Sequence, residues 1–370
     1  MAQDSYSCPS GGSIRTGRFQ AATALAIAAA SMSVGALEQF PAPSLGQISN
    51  HGNFPFDEPV NTGDPNAIGL MNSAWTSMAD RDPATGTIWF AGGRPLANPL
   101  VQVLCRYSAP LDNWRSIGNW SGSAGGHIYK NGCVIPEHRR YFYLPPNNTF
   151  GVCPTWNLDT DSVGETYPLP PNNIANASNS FFAPWALVWH PNLGNQGSVL
   201  GCNSSADRII RFDWETKTWI GIGRFDTNAS AVIQIDWTNL HPIGHYNALH
   251  DSVIFGSSDF GAPEALVRID NTGAASATPP IDAEVNCGGT GGMFFQHPSD
   301  VNQSIIICQQ SLRIHSYNWT TNTFTDRGPV PLELSDFDTI ASVWPDEGVV
   351  LFAVYGAAGT SETFLWKPGF

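Results

Sequence analysis

The sequence predicts an all-β fold, a six-bladed β-propeller of four-stranded blades whose last blade is closed by an N-terminal strand. Three observations lead there: a composition rich in turn and aromatic residues, a module recurring at a period of about fifty residues, and a last module that stops one strand short. Of 370 residues, 42% are hydrophobic and only 13% charged, with Gly 36, Pro 28, Phe 20 and Trp 13. The charged share is about half the usual one. Glycine and proline at this density punctuate short strands rather than long helices.

Each first hairpin is a short strand, a turn and a β-branched strand ending in small residues. The six copies are SAWTSMADRDPATGTIWFAGG from Ser73, GGHIYKNGCVIPEHRRYFYLP from Gly125, PWALVWHPNLGNQGSVLGCN from Pro184, GHYNALHDSVIFGSS from Gly244, GGMFFQHPSDVNQSIIICQQ from Gly291 and TIASVWPDEGVVLFAVYG from Thr339. Pro or Asp stands at most of the turns, where a fixed φ or a side-chain bond to the backbone favours reversal. A second hairpin follows, seen in CRYSAPLDNWRSIG, RFDWETKTWIGIG and HSYNWTTNTFTDRG, with weaker copies in TWNLDTDSVGETYPLP and VRIDNTGAASATPP. Two hairpins make a four-stranded blade, and its apolar positions allow both faces to be buried against neighbours.

The sixth copy has only a third strand, TFLWKPGF. An open ring would leave an unpaired edge and two exposed apolar faces. LEQFPAPS, Leu37 to Ser44, is the expected closing strand, since an aromatic followed by prolines also ends YPLPP at Tyr167. Residues 37–370 are therefore expected to form one domain. Residues 1–36 read as a signal peptide or a retained Ala-rich helix: Arg15 and Arg18 precede a weakly apolar run that ends at Gly35 and Ala36.

The Gly92–Gly93 pair after a strand, the tryptophan downstream of it and a recurrent Trp/Thr spacing resemble the kelch and galactose-oxidase-like propeller group, and HYNALHDSVIFGSS is similar to inner hairpins of secreted or phage-borne propellers. For the oxidases of that group the resemblance implies copper held by tyrosine and histidine, with an adjacent Tyr-His pair. Among nine histidines no Tyr-His dipeptide occurs, and His245-Tyr246 is the reverse order. The expectation is no metal, no cofactor and no catalytic residue. Zinc-protease, nucleophile-elbow and P-loop motifs are also missing from the sequence.

Charge and hydropathy exclude two classes. A net charge of −14 leaves no surplus cation for phosphates, so nucleic acid is not an expected partner. No apolar run approaches the roughly 18 residues of a membrane-spanning helix. Long loops entering the first strands bring His51, Asp57, Trp185, Trp237, His241, His245 and Tyr246 toward one end of the central channel, where propellers bind ligands. Aromatic rings with amides and carboxylates would suit a glycan or a protein ligand. His190, His250 and His297 fall at first-hairpin turns and are expected to be turn structure rather than metal ligands.

Sequons begin at Asn119, Asn147, Asn176, Asn203, Asn228, Asn302 and Asn318, against roughly four expected by chance. Losing a leader would discard Cys8 and leave six cysteines, either bridged in an oxidising compartment or buried as thiols. The expected function is a non-enzymatic, secreted or extracellular propeller that binds a glycan or protein, or serves as a structural subunit in a homo-oligomer or particle. The alternatives are a virion or filament protein with a retained N-terminal helix, and a polysaccharide-active lyase or oxidase.

Overall fold

The computed structural model describes residues 48–53, 79–92, 101–108, 113–123, 130–145, 151–171, 174, 185–203, 208–224, 242–257, 265–278, 293–308, 311–330, 339–355 and 361–370. These form an all-β propeller of four-stranded antiparallel blades, and the described strands fall into six such sheets. Strand β1 (Ile48–Asn53) comes first and joins the last sheet. The first sheet is β2 (Asp80–Arg81), β3 (Ile88–Gly92), β4 (Val101–Ser108) and β5 (Asn113–Ser123). The second is β6 (Gly132–Ile135), β7 (Arg140–Tyr143), β8 (Val152–Asn157) and β9 (Ser162–Pro168). The third is β10 (Ala186–His190), β11 (Ser198–Asn203), β12 (Arg208–Asp213) and β13 (Thr218–Arg224). The fourth is β14 (Pro242–Asn247), β15 (Ser252–Ser257), β16 (Val267–Asp270) and β17 (Ala275–Ala277). The fifth is β18 (Met293–Gln296), β19 (Gln303–Cys308), β20 (Arg313–Asn318) and β21 (Thr323–Pro329). Strands β22 (Thr339–Trp344), β23 (Val349–Tyr355) and β24 (Ser361–Trp366) complete the series.

The strand period of two explains how one sheet serves two neighbours. In β10, Leu187 and Trp189 enter a cluster with the second sheet, while Ala186 and Val188 enter one with the fourth. In β19, Ile305 and Ile307 face the last sheet, while Ile306 and Cys308 face the fourth. Strands buried on both sides read as continuous apolar runs, as SVLGCN in β11 does, with every residue buried. The core is thus divided into separate apolar seams between sheets.

The innermost strands β2, β6, β10, β14, β18 and β22 neighbour one another in cyclic order, with β22 returning to β2. At that junction the Ala79 N–H donates to the Ala341 carbonyl at 3.0 Å. Between the first two sheets the guanidinium of Arg139 grips the buried Asp82 carboxylate through two bonds of 2.6 and 2.8 Å. Asp82 also accepts from the Ala84 N–H and the Thr85 hydroxyl, so this one carboxylate both orders its own turn and joins two sheets.

The second hairpins share a turn device. Asn157, Asp213, Asp270 and Asn318 end the third strands, and each side chain accepts backbone N–H groups from its own turn. In three of these turns, the residue before the outer strand is left-handed: Asp161, Lys217 and Asn322 have φ of 53°, 55° and 54°. The hydroxyls on either side of it pair at 2.7 Å: Thr160 with Ser162, Thr216 with Thr218 and Thr321 with Thr323. Asx turns of this kind explain why Asn or Asp recurs at that place.

The strand that pairs antiparallel with β24 is β1, with Ile48 opposite Trp366 and Asn50 opposite Phe364. This corrects the expected closing strand: Leu37–Ser44 lies outside the described residues. The physical reason is that Pro41 and Pro43 offer no N–H to a ladder, whereas Ile48–Asn53 contains no proline. Residues 1–36, read as a leader or helix, also lie outside the described residues.

Candidate functional site: the central cavity

One cavity of about 300 Å³ is walled by every innermost strand in turn: Asp80 and Arg81 from β2, Val134 from β6, Val188 and Trp189 from β10, His245 and Tyr246 from β14, Phe295 and Gln296 from β18, and Val343 from β22. It reaches the first-hairpin turns, where Pro83, Pro136 and Pro345 contribute. The walls are mostly apolar because inner strands must also fill the seams behind them.

The polar groups in the wall are tied to one another. Lys130, only 5% exposed, donates from Nζ to Asp80 Oδ1 at 2.7 Å and to the Leu187 carbonyl at 3.0 Å. The other Asp80 oxygen accepts the Val134 N–H at 3.0 Å. Arg81 lies over the Trp344 ring, 4.9 Å from its centroid, and pairs with Asp346 at 2.7 Å. Trp189 Nε1 donates to Glu137 at 2.7 Å, and the Tyr246 hydroxyl to Asp251 at 2.8 Å. Gln296 accepts from Asn247 and donates to the carbonyls of Asp300 and Gln303.

His245 is buried in the seam behind the cavity, its ring 4.7 Å from Phe294. Trp319 Nε1 donates to Ser304 Oγ at 2.7 Å, and that hydroxyl lies 2.9 Å from His245 Nε2. Nδ1 lies 3.3 Å from the Tyr246 carbonyl. The arrangement assigns the proton to Nδ1, which donates to the carbonyl, and leaves Nε2 accepting from Ser304. Burial pushes the imidazole pKa down to about 3. His245 is therefore a neutral fixture at physiological pH and is poorly suited to general acid–base work there.

The remaining expected site residues scatter. Trp185 is 3% exposed in the seam between the second and third sheets, its N–H donating to Asn131 Oδ1, so it is core rather than a stacking platform. Its indole packs there because Gly201 on the neighbouring strand leaves room. His51 belongs to β1, the outermost strand of its sheet, away from the cavity. Asp57, Trp237 and His241 lie outside the described residues. Of the expected set among the described residues, only the chain neighbours His245 and Tyr246 line the cavity, and the cavity reaches the first-hairpin turns, the end opposite the entering loops where the site was expected.

His190 and His297 both precede a proline at the end of a first strand, His190 as its last residue and His297 just after it, but Asn247 ends that strand in the fourth sheet and His250 comes later in the turn. His297 Nδ1 accepts the N–H groups of Ser299 and Asp300, leaving Nε2 to donate to the Phe370 carbonyl at 3.1 Å. His250 stacks on Trp319 at 5.5 Å, and His190 is buried 5.0 Å from the Tyr246 ring. No group of three or more potential metal ligands occurs among the described residues.

The sequons divide by placement. Asn203 is fully buried, the Asn318 oxygen caps its turn, and Asn302 Oδ1 contacts His250 Nε2 at 3.1 Å and accepts from Thr320 Oγ1. Asn147, Asn176 and Asn228 lie outside the described residues; Asn119 belongs to β5. Cys133 and Cys153 are buried free thiols, Cys202 is buried, and Cys308 is disulfide-bonded. Lys130 and Asp80 were missed by sequence reasoning. A lysine in the otherwise uncharged stretch HIYKNGCVIP was the available signal.

No protein-family model and no curated protein matches this sequence. Solved structures resemble it in fold. A structural-genomics protein of unknown function from Bacteroides thetaiotaomicron VPI-5482 matches with a TM-score of 0.50 and 9% identity, over 76% of this chain and 67% of that one. TolB from Acinetobacter baumannii gives 0.46 and 14%, over 78% and 65%. A chain of a nidogen/laminin complex gives 0.45 and 7%, over 70% and 81%. At 9% identity the match at 0.50 speaks for fold alone, and the two below 0.5 carry no argument. The finer kelch and galactose-oxidase-like assignment has no support beyond the residues that suggested it.

Proposed function

We propose that this chain is a non-enzymatic, extracytoplasmic binding propeller: six blades form one ring, closed by β1, and a ligand is received in the central cavity. The observation that carries the reading is the convergence of all six innermost strands on a single cavity reaching the first-hairpin turns. Ligand sites are concave, mostly apolar and held by a rigid scaffold, and about 300 Å³ is at the small end of their range. The cyclic contact of the innermost strands and the β1–β24 ladder support the ring. The bonded Cys308 supports an oxidising compartment.

An enzymatic reading would need a group able to exchange protons near neutral pH, and His245 is held neutral and fully engaged. The polysaccharide-active alternative and the particle-subunit alternative draw no comparable support. The test is a parallel screen of the full chain against a glycan array and a displayed random-peptide library, repeated with Pro345→Arg, which obstructs the exposed mouth. Binders weakened by that substitution would uphold the site. If neither class yields one, the cavity is not the binding site.

A further inference from the structure

The cavity has a property that separates classes of ligand. Lys130, Gln296, Tyr246 and Trp189 each already hold the hydrogen-bond partners described above. A sugar entering would surrender hydroxyl bonds to water and find Arg81 Nε as the one buried unpartnered side-chain donor among the described lining, and unmatched polar groups are costly. An apolar side chain gives up rotamer freedom but no hydrogen bonds on entry, and gains the walls of Val134, Val188, Phe295 and Val343. The volume of about 300 Å³ accommodates one large side chain and part of its backbone.

The surroundings specify more. The first and second turns of each blade lie at the same end of the strands, because successive strands are antiparallel. Two large apolar side chains are exposed on first-hairpin turns there, Leu249 at 56% and Val301 at 52%. Exposed carboxylates stand on the same set of turns: Glu137, Asp159, Glu215 and Asp346. Two of these, Asp346 and Asp159, are paired with Arg81 and Arg139, so the negative charge left for a partner is that of Glu137 and Glu215, which among the described residues accept only from the neutral donors Trp189 and Asn195. The end that carries the cavity mouth is thus apolar at its centre and acidic around it.

We propose that this end docks a basic segment of a partner protein, which inserts one aromatic or branched aliphatic side chain into the cavity. The inference rests on the cavity being the binding site and goes further by choosing protein over glycan. Charge complementarity would steer the segment, and the inserted anchor would hold it.

The experiment uses the full chain, a phage-displayed random twelve-residue peptide library and a glycan array. Selected peptides should share one aromatic or branched aliphatic residue flanked by Lys or Arg. Synthetic copies should lose about tenfold or more in affinity when the anchor becomes alanine, or when the protein carries Pro345→Arg. Raising salt from about 50 to 300 mM should weaken them severalfold, as expected for exposed charges. Leu249→Asp, on an exposed turn, serves as a second variant should Pro345→Arg melt abnormally. Selected peptides lacking such an anchor, or indifferent to both substitutions, overturn the proposal. Glycan binding lost in Pro345→Arg with no peptide selected would keep the cavity as the site and overturn the choice of protein. No binder of either class at the cavity overturns both.

Discussion

Lowering the pH should destabilise the fold through His245, by an amount the structure sets. The unfolded imidazole titrates near 6.5, whereas in the fold its pKa is pushed down to about 3 by burial. A base with a depressed folded pKa binds more protons when unfolded, so stability falls as pH drops below about 6.5 and levels off near the folded value. At pH 5 the unfolded imidazole is about 97% protonated and the folded one about 1%. The difference, RT ln(1 + 10^1.5), is about 2 kcal/mol lost relative to pH 8. Asp213, Asp251, Asp270 and Asp300 have pKa values lowered below the ordinary carboxylate value, so their contribution persists at pH 5 and is lost only with further acid. His190, His297 and His315 are also lowered by burial and add to the wild-type loss, so the measurement must isolate His245. His245→Gln does so, since the amide offers an acceptor for Ser304 and a donor for the Tyr246 carbonyl without titrating. Urea unfolding at pH 8 and pH 5 should show the wild type losing about 2 kcal/mol more than the variant. A difference below about 0.5 kcal/mol would refute the neutral, buried assignment.

Other outcomes follow from named contacts. Arg139→Met should cost about 3–5 kcal/mol in urea unfolding, because it leaves the buried Asp82 carboxylate without its cation; a cost under about 1 kcal/mol would contradict that account. Asn318→Ala should cost about 1 kcal/mol by the same assay, since two turn N–H groups lose their acceptor. In the folded chain, Cys133 and Cys153 should resist a thiol reagent and react only in denaturant, as burial also pushes both thiols up. Peptide mapping after expression in a glycosylating host should find Asn203 unmodified, because a glycan there has no room in the fold.

The blades were legible because their signal is periodic. Alternation in WALVWH and SIIIC places apolar side chains on both faces of a sheet, and the Asn and Asp residues ending third strands mark turns that need them. Register at the ends was less legible. An aromatic followed by prolines occurs near several strands without defining one, and it was given more weight than the amides that Pro41 and Pro43 cannot supply. The site was harder still. Trp185 sits where a long loop meets a strand and invites a ligand reading, but its fate depends on Gly201, which becomes its neighbour only when β10 pairs with β11. Lys130 and Asp80 are brought together by neighbouring sheets, and no local spacing records that meeting.

The ladders joining third to fourth strands carry register shifts in every sheet except the fourth: between Leu104 and Cys105, Pro154 and Trp156, Ile209 and Ile210, Ile314 and His315, and in β1 between Asn50 and Asn53. Each extra residue bends the rim of its blade and spoils the straight row of amides that a foreign strand would need. The rims of those five sheets therefore resist edge-on polymerisation of the amyloid or donor-strand kind. If copies of this protein assemble, they should meet through side chains at the ends of the ring rather than by splicing their sheets together.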